Sequence, residues 1–89
     1  MSEDDYQEIT NMSTKDRFVL NFWRAALISC YKENGAVTAG QLAKWVGQSR
    51  TTARKYLDRL VEEKCVGFEK CVWTNGLEYK NYYPIKAQS

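Results

Sequence analysis

The sequence predicts an α+β fold in which three helices precede a C-terminal antiparallel sheet of two or three strands. Apolar residues recur at helical spacing in three separate stretches before Lys64. From Val66 the period changes to two, and Asn75-Gly76 interrupts the alternating run as a hairpin turn does. Eighty-nine residues hold one domain, and three Trp, six Tyr and three Phe give bulk to a small core.

Residues Met1 to Met12 are polar, acidic and aperiodic, which reads as a mobile tail ahead of a domain spanning 13–85. Ser13 followed by Asp16 resembles a capping box, with Thr14 as the alternative cap. The first helix runs from there to about Lys32. Its face is Val19, Phe22, Trp23, Ala26, Leu27 and Cys30, and Asn34-Gly35 supplies the left-handed stop. Phe18, Leu20, Ala25 and Ile28 lie off that face. Arg17, Asn21 and Arg24 leave only a narrow polar strip, so a second buried surface is expected, either a twin helix in a homodimer or the C-terminal strands.

Ala36-Val37 is long enough for a single ladder pair. Thr38 and Gln41 then form a capping box for a second helix from about Ala39 to Val46, with Leu42, Ala43 and Val46 inward and Gly47 as its stop. Ser49 caps a third helix that extends to about Lys64, with Ala53, Tyr56, Leu57, Leu60 and Val61 inward. Beyond it, a type I′ turn at Asn75-Gly76 pairs Thr74 with Leu77. Val72 then faces Tyr79 and Phe68 faces Tyr83 on one side, with Trp73 opposite Glu78, Cys71 opposite Lys80 and Glu69 opposite Tyr82 on the other. Pro84 ends the ladder.

The formal charge of +2 conceals an asymmetry. Four acids, Glu3, Asp4, Asp5 and Glu8, fall in the first eight residues; thirteen bases face seven acids over the remainder, which therefore carries +6. The densest stretch is Lys44, Arg50, Arg54, Lys55 and Arg59, accompanied by Asp58 alone. Three cysteines without zinc-type spacing and no leading basic-then-apolar segment argue for a reducing cytoplasm and against a disulfide framework. The longest apolar-rich run, Phe18 to Cys30, contains Asn21 and Arg24 and is too short to cross a bilayer, so no membrane partner is expected.

The second and third helices, joined through Gly47-Gln48, have the length and connection of a helix-turn-helix, which offers its second helix to the major groove. With Ala53, Leu57 and Leu60 inward, Thr51, Lys55 and Asp58 point outward, flanked by Arg50, Thr52, Arg54 and Arg59. Arg50, Thr51, Thr52 and Lys55, near the leading end, suit base contact; Arg54 and Arg59 suit phosphate. Arg makes paired hydrogen bonds to guanine, Thr offers a hydroxyl and a methyl, and Ser49 with its helix N-terminus suits a phosphate. Lys44, Gln48 and Gln41 add donors along the same edge. A merely solvated polar face is the plain alternative.

Residues Ala36 to Tyr83 resemble the winged helix-turn-helix domains of prokaryotic, archaeal and viral transcription regulators. The resemblance rests on Leu42-Ala43, Gly47, Ser49, Thr52, Leu57 and Leu60, followed by a hairpin. It implies that the third helix is the recognition helix and that the Asn75-Gly76 hairpin is a wing, reaching the DNA backbone or minor groove with Lys70, Lys80 and Trp73. The family usually places Gly where Lys64 stands, so Lys64 must accept an unfavourable backbone or shift the helix exit. Double-stranded DNA is the expected partner, bound by a small, homodimeric transcriptional regulator.

A protein-interaction module docking on transcription or replication machinery is the rival reading, and the wide apolar arc of helix one and Trp73 would serve it. Trp45 reads as a half-buried packing residue. Cys30, Cys65 and Cys71 read as core or incidental rather than as a thiol sensor. With no His in the chain, neither a zinc site nor Ser-His or Cys-His catalysis assembles, and the five glycines form no phosphate loop. No enzyme activity, cofactor or small-molecule substrate is expected. An RNA-stacking sheet is not signalled, because the aromatics do not interleave with bases as such a sheet requires.

Overall fold

The computed structural model describes residues 14–86. The acidic tail and the expected Ser13 cap lie outside them. The chain forms α1 (Thr14–Asn34), α2 (Ala39–Val46), α3 (Arg50–Glu62), β1 (Val66–Val72) and β2 (Glu78–Pro84), a winged-helix layout of the α+β class. β1 and β2 pair antiparallel, and Val37 adds a one-residue bridge to Tyr82, whose N–H donates to the Val37 carbonyl at 2.7 Å.

Local chemistry sets the helix ends. Thr38 Oγ1 accepts from the Gln41 N–H at 3.2 Å while Gln41 Oε1 accepts from the Thr38 N–H at 2.9 Å, a reciprocal box that satisfies two of the donors a helix start leaves open. Gly47, at φ +74°, closes α2, and Gln48 N–H donates back to the Ala43 carbonyl at 2.9 Å. Gly35, at φ +75°, ends α1 in the same left-handed conformation. At the end of α3 the residue is Lys64, at φ +62°, and the Cys65 N–H donates to the Leu60 carbonyl at 3.0 Å. The expected conflict there resolves with the helix exit in place and the lysine in a conformation that disfavours any Cβ.

Leu20, Trp23, Leu27 and Cys30 of α1 pack with Val37, Leu42, Ala43, Ala53, Leu57, Leu60, Cys65, Val66 and Tyr82 as one core. The expected α1 face is rotated. Leu20 is buried, whereas Phe22 is 56% exposed and Phe18 77% exposed. Ile28 is buried, and so is Arg24, whose Nε donates to Asn21 Oδ1 at 3.4 Å; it is not part of a polar strip. Trp45 lies outside the core and is also exposed.

The hairpin differs from expectation by one residue. Asn75 does not adopt positive φ, which a type I′ turn requires; Gly76 alone does in the loop, at +87°. Trp73 N–H donates to the Leu77 carbonyl at 2.8 Å and the Trp73 carbonyl accepts from Gly76 N–H at 2.9 Å, so the loop is Thr74-Asn75-Gly76, a turn closed by a glycine bulge. The register is therefore Phe68 opposite Tyr82, Lys70 opposite Lys80 and Val72 opposite Glu78, with Cys71 opposite Tyr79 on the other face. Because side chains alternate along a strand, a one-residue slip reverses the faces of β2. Tyr82, not Tyr83, enters the core; Tyr83 lies across Gly67, where a Cβ would stand only 2.6 Å from its ring.

Candidate nucleic-acid interface

The core fixes α3 by Ala53, Leu57 and Leu60, all fully buried, with Tyr56 and Val61 packed beside them, so the opposite side of the helix faces away from the protein. Arg50, Thr51, Arg54, Lys55, Asp58 and Arg59 are exposed. Ser49 caps the helix: its Oγ accepts from the Thr52 N–H at 3.1 Å and donates to Thr52 Oγ1 at 2.8 Å. Both hydroxyls are thereby engaged with each other, and Thr52 is half-buried, which leaves Arg50 and Thr51 as the leading exposed groups. Lys44 and Gln48, at the end of α2 and in the turn, are exposed as well.

The exposed cations of α3 divide between two sides. Arg50 and Arg54 line a cleft of about 460 Å³ between the start of α3, the Thr38–Gly40 segment and the hairpin. Lys55 and Arg59 lie off the cleft, and Lys55 Nζ stands 5.5 Å above the Tyr56 ring, which itself stacks on Trp23 at 5.0 Å. From the hairpin, Lys70 and Lys80 line the same cleft, together with Trp73, Tyr79 and Glu78. Lys80 Nζ lies 4.5 Å above the Phe68 ring, which places its ammonium on the inner face of the hairpin. Among the described residues, none of Arg50, Arg54, Lys70 and Lys80 lies within 4.0 Å of a carboxylate. Of the expected site residues, Arg50, Arg54, Lys70 and Lys80 are thus brought together at the cleft, whereas Lys44, Gln48, Thr51, Lys55 and Arg59 are exposed outside its lining.

Tyr82 forms the floor of the cleft. Burial pushes its hydroxyl above the ordinary Tyr range; Asp58 adds to that rise, while the Arg54 guanidinium opposes it.

Sequence reasoning alone does not decide the role of Trp73. In the structure it stacks on Tyr79 with ring centroids 4.3 Å apart and planes at 28°, yet remains 54% exposed. The signal is a diagonal aromatic pair on one face of the ladder, since Trp73 lies opposite Leu77 and Tyr79 opposite Cys71, and it is readable only with the correct register. Beneath this pair Cys71 is half-buried, and its Sγ accepts from Asn81 Nδ2 at 3.4 Å. Cys30 and Cys65 are buried, and burial raises the Cys30 thiol above its usual range despite a hydrogen bond from Asn34. Among the described residues no three metal-ligating side chains gather, and no helix is long and apolar enough to cross a membrane.

No known protein-family profile matches the chain, and no curated protein is significantly similar to it.

Proposed function

We propose that this chain is a small transcriptional regulator that binds duplex DNA in a sequence-specific manner, with α3 in the major groove and the hairpin as a wing on the backbone or minor groove. The observation that carries the reading is the group of cations shared by the start of α3 and the inner face of the hairpin, with Arg50, Arg54 and Lys70 exposed, Lys80 half-buried and none of them beside a carboxylate among the described residues. Arg50, Thr51 and Lys55 supply base contacts, with Thr52 limited by its bond to Ser49. Arg54, Arg59, Lys44, Gln48, Lys70 and Lys80 supply phosphate contacts, and the Ser49 cap presents the helix N-terminus to another. Three free thiols accord with a cytoplasmic setting.

The test is fluorescence anisotropy against a library of duplexes at fixed salt. Replacing Arg50 and Lys55 by Ala weakens binding to the preferred sequence by about 1 to 3 kcal/mol for each base that the side chains no longer reach. Unchanged duplex affinity in that double variant favours the rival reading, a module that docks on transcription or replication proteins.

A homodimer through α1 completes the proposal. Phe18 and Phe22, one helical turn apart, expose two large rings on the side of α1 away from the core. A second copy of the same face covers them, and two α3 helices then address two half-sites.

A further inference from the structure

We propose that the cleft between α3 and the hairpin seats a nucleotide whose base is unstacked, with its phosphate among Arg50, Arg54, Lys70 and Lys80 and its base on the open face of Trp73. The proposal uses the same four cations as the regulator reading, and Trp73 is the residue that separates the two.

The charge arrangement suits an anion. Lys70 and Lys80 are direct cross-strand partners on the inner face of the hairpin, a placement that disfavours the bare hairpin. Arg50 and Arg54 line the cleft with them, and among the described residues Glu78 is the sole acid lining it. A phosphate bridging helix and hairpin neutralises cations from both.

The aromatic arrangement suits a ring. Tyr79 stacks on one face of Trp73, and the indole, still 54% exposed, lines the cleft at the turn although it leaves the ladder on the Cys71–Tyr79 face rather than the Lys70–Lys80 face. The platform is stiff, because both the N–H and the carbonyl of Trp73 are bonded across the turn and the side chain rests on a neighbouring ring. An acidic peptide satisfies the four cations but leaves the indole bare. Bases inside a duplex have their faces occupied by neighbours. A nucleotide with a free base meets both demands, and a volume of about 460 Å³ falls within the range of small-ligand sites.

The test uses fluorescence anisotropy at one salt concentration with the full chain and three variants: Trp73→Ala, Trp73→Phe and Lys70→Ala. The probes are a labelled oligothymidylate of about ten nucleotides, within the usual site size for unpaired strands, and a duplex of equal length; thymidine monophosphate and polyglutamate serve as competitors. Trp73→Ala is expected to weaken oligothymidylate binding about 5- to 150-fold, as removal of one stacked base does, and to weaken the duplex by much less, because a wing contact to a duplex involves no stacked base. Trp73→Phe restores most of the affinity, and Lys70→Ala weakens both probes. Thymidine monophosphate competing as well as free oligothymidylate, in a Trp73-dependent way, assigns the cleft to a free nucleotide; failure to compete assigns it to a strand, and both uphold the site. An oligothymidylate affinity unmoved by Trp73→Ala, an equal weakening for the duplex, or equal competition by polyglutamate overturns it. Duplex binding that is absent while Trp73-dependent oligothymidylate binding persists removes the regulator reading and leaves the cleft.

Discussion

Lys70 and Lys80 face each other across the hairpin ladder, on the surface that carries Phe68 and Tyr82 into the core. Like charges in direct cross-strand register oppose pairing, by about 0.2 to 1 kcal/mol. The pair therefore reports on stability and binding with opposite signs. Lys70→Glu is expected to raise the thermal midpoint by roughly 1 to 8 °C for a domain of this size and to weaken DNA binding. A variant that is both less stable and equally competent for binding contradicts the role given to the pair.

At Lys64 the backbone holds φ +62° with no glycine to accept it. A left-handed conformation costs an L-residue about 1 to 2 kcal/mol, and the entropy of an unfolded glycine offsets roughly half of that. Lys64→Gly should stabilise the chain by about 0.5 to 1 kcal/mol in urea denaturation. Lys64→Val should destabilise it by more than Lys64→Ala does, because β-branching adds to the penalty.

Alkaline titration follows from two buried groups. Tyr82 and Cys30 both have their ionisation pushed above the ordinary values of 10.0 and 9.0, first by burial. Each folded-state pKa is raised, so the folded chain holds its proton where the unfolded chain releases it. Their contribution is fully present below the unfolded pKa values and is lost as pH rises through the folded ones. Stability should be insensitive to these groups from pH 6 to about 8 and decline above about 9. Tyr82→Phe should lessen the decline above about pH 10, read by chemical denaturation at successive pH values.

The exposed rings of α1 give a solution test. Phe18→Glu together with Phe22→Glu should convert a dimer into a monomer in sedimentation at micromolar protein, with a thermal midpoint changed little once dissociation is allowed for. A wild-type chain that sediments as a monomer contradicts the dimer directly.

The helix boundaries were legible because their determinants are local. Thr38, Gln41, Gly47 and Ser49 act within four residues of where they stand, and α2 spans the expected Ala39–Val46. The phase of α1 was not. Its apolar residues encircle most of the helix, so periodicity does not choose between Phe22 and Leu20; packing with distant Leu42 and Leu57 does. The hairpin register failed for a related reason. Asn-Gly fits a two-residue loop and also the end of a three-residue loop, and the choice reverses every side chain of β2. The basic α3 surface was readable from sequence, but the pairing of Arg50 and Arg54 with Lys70 and Lys80 depends on that register and on tertiary packing, so it emerges only in three dimensions.

The most direct test of the central claim is the salt dependence of duplex binding, measured by anisotropy for the wild-type chain and for Lys70→Ala and Arg54→Ala. Log affinity is expected to fall linearly with log salt, with a slope of about −0.9 for each phosphate contact and a reduction of roughly one in the slope's magnitude in each variant. Duplex affinity that does not change with salt, or identical slopes in all three proteins, would contradict it.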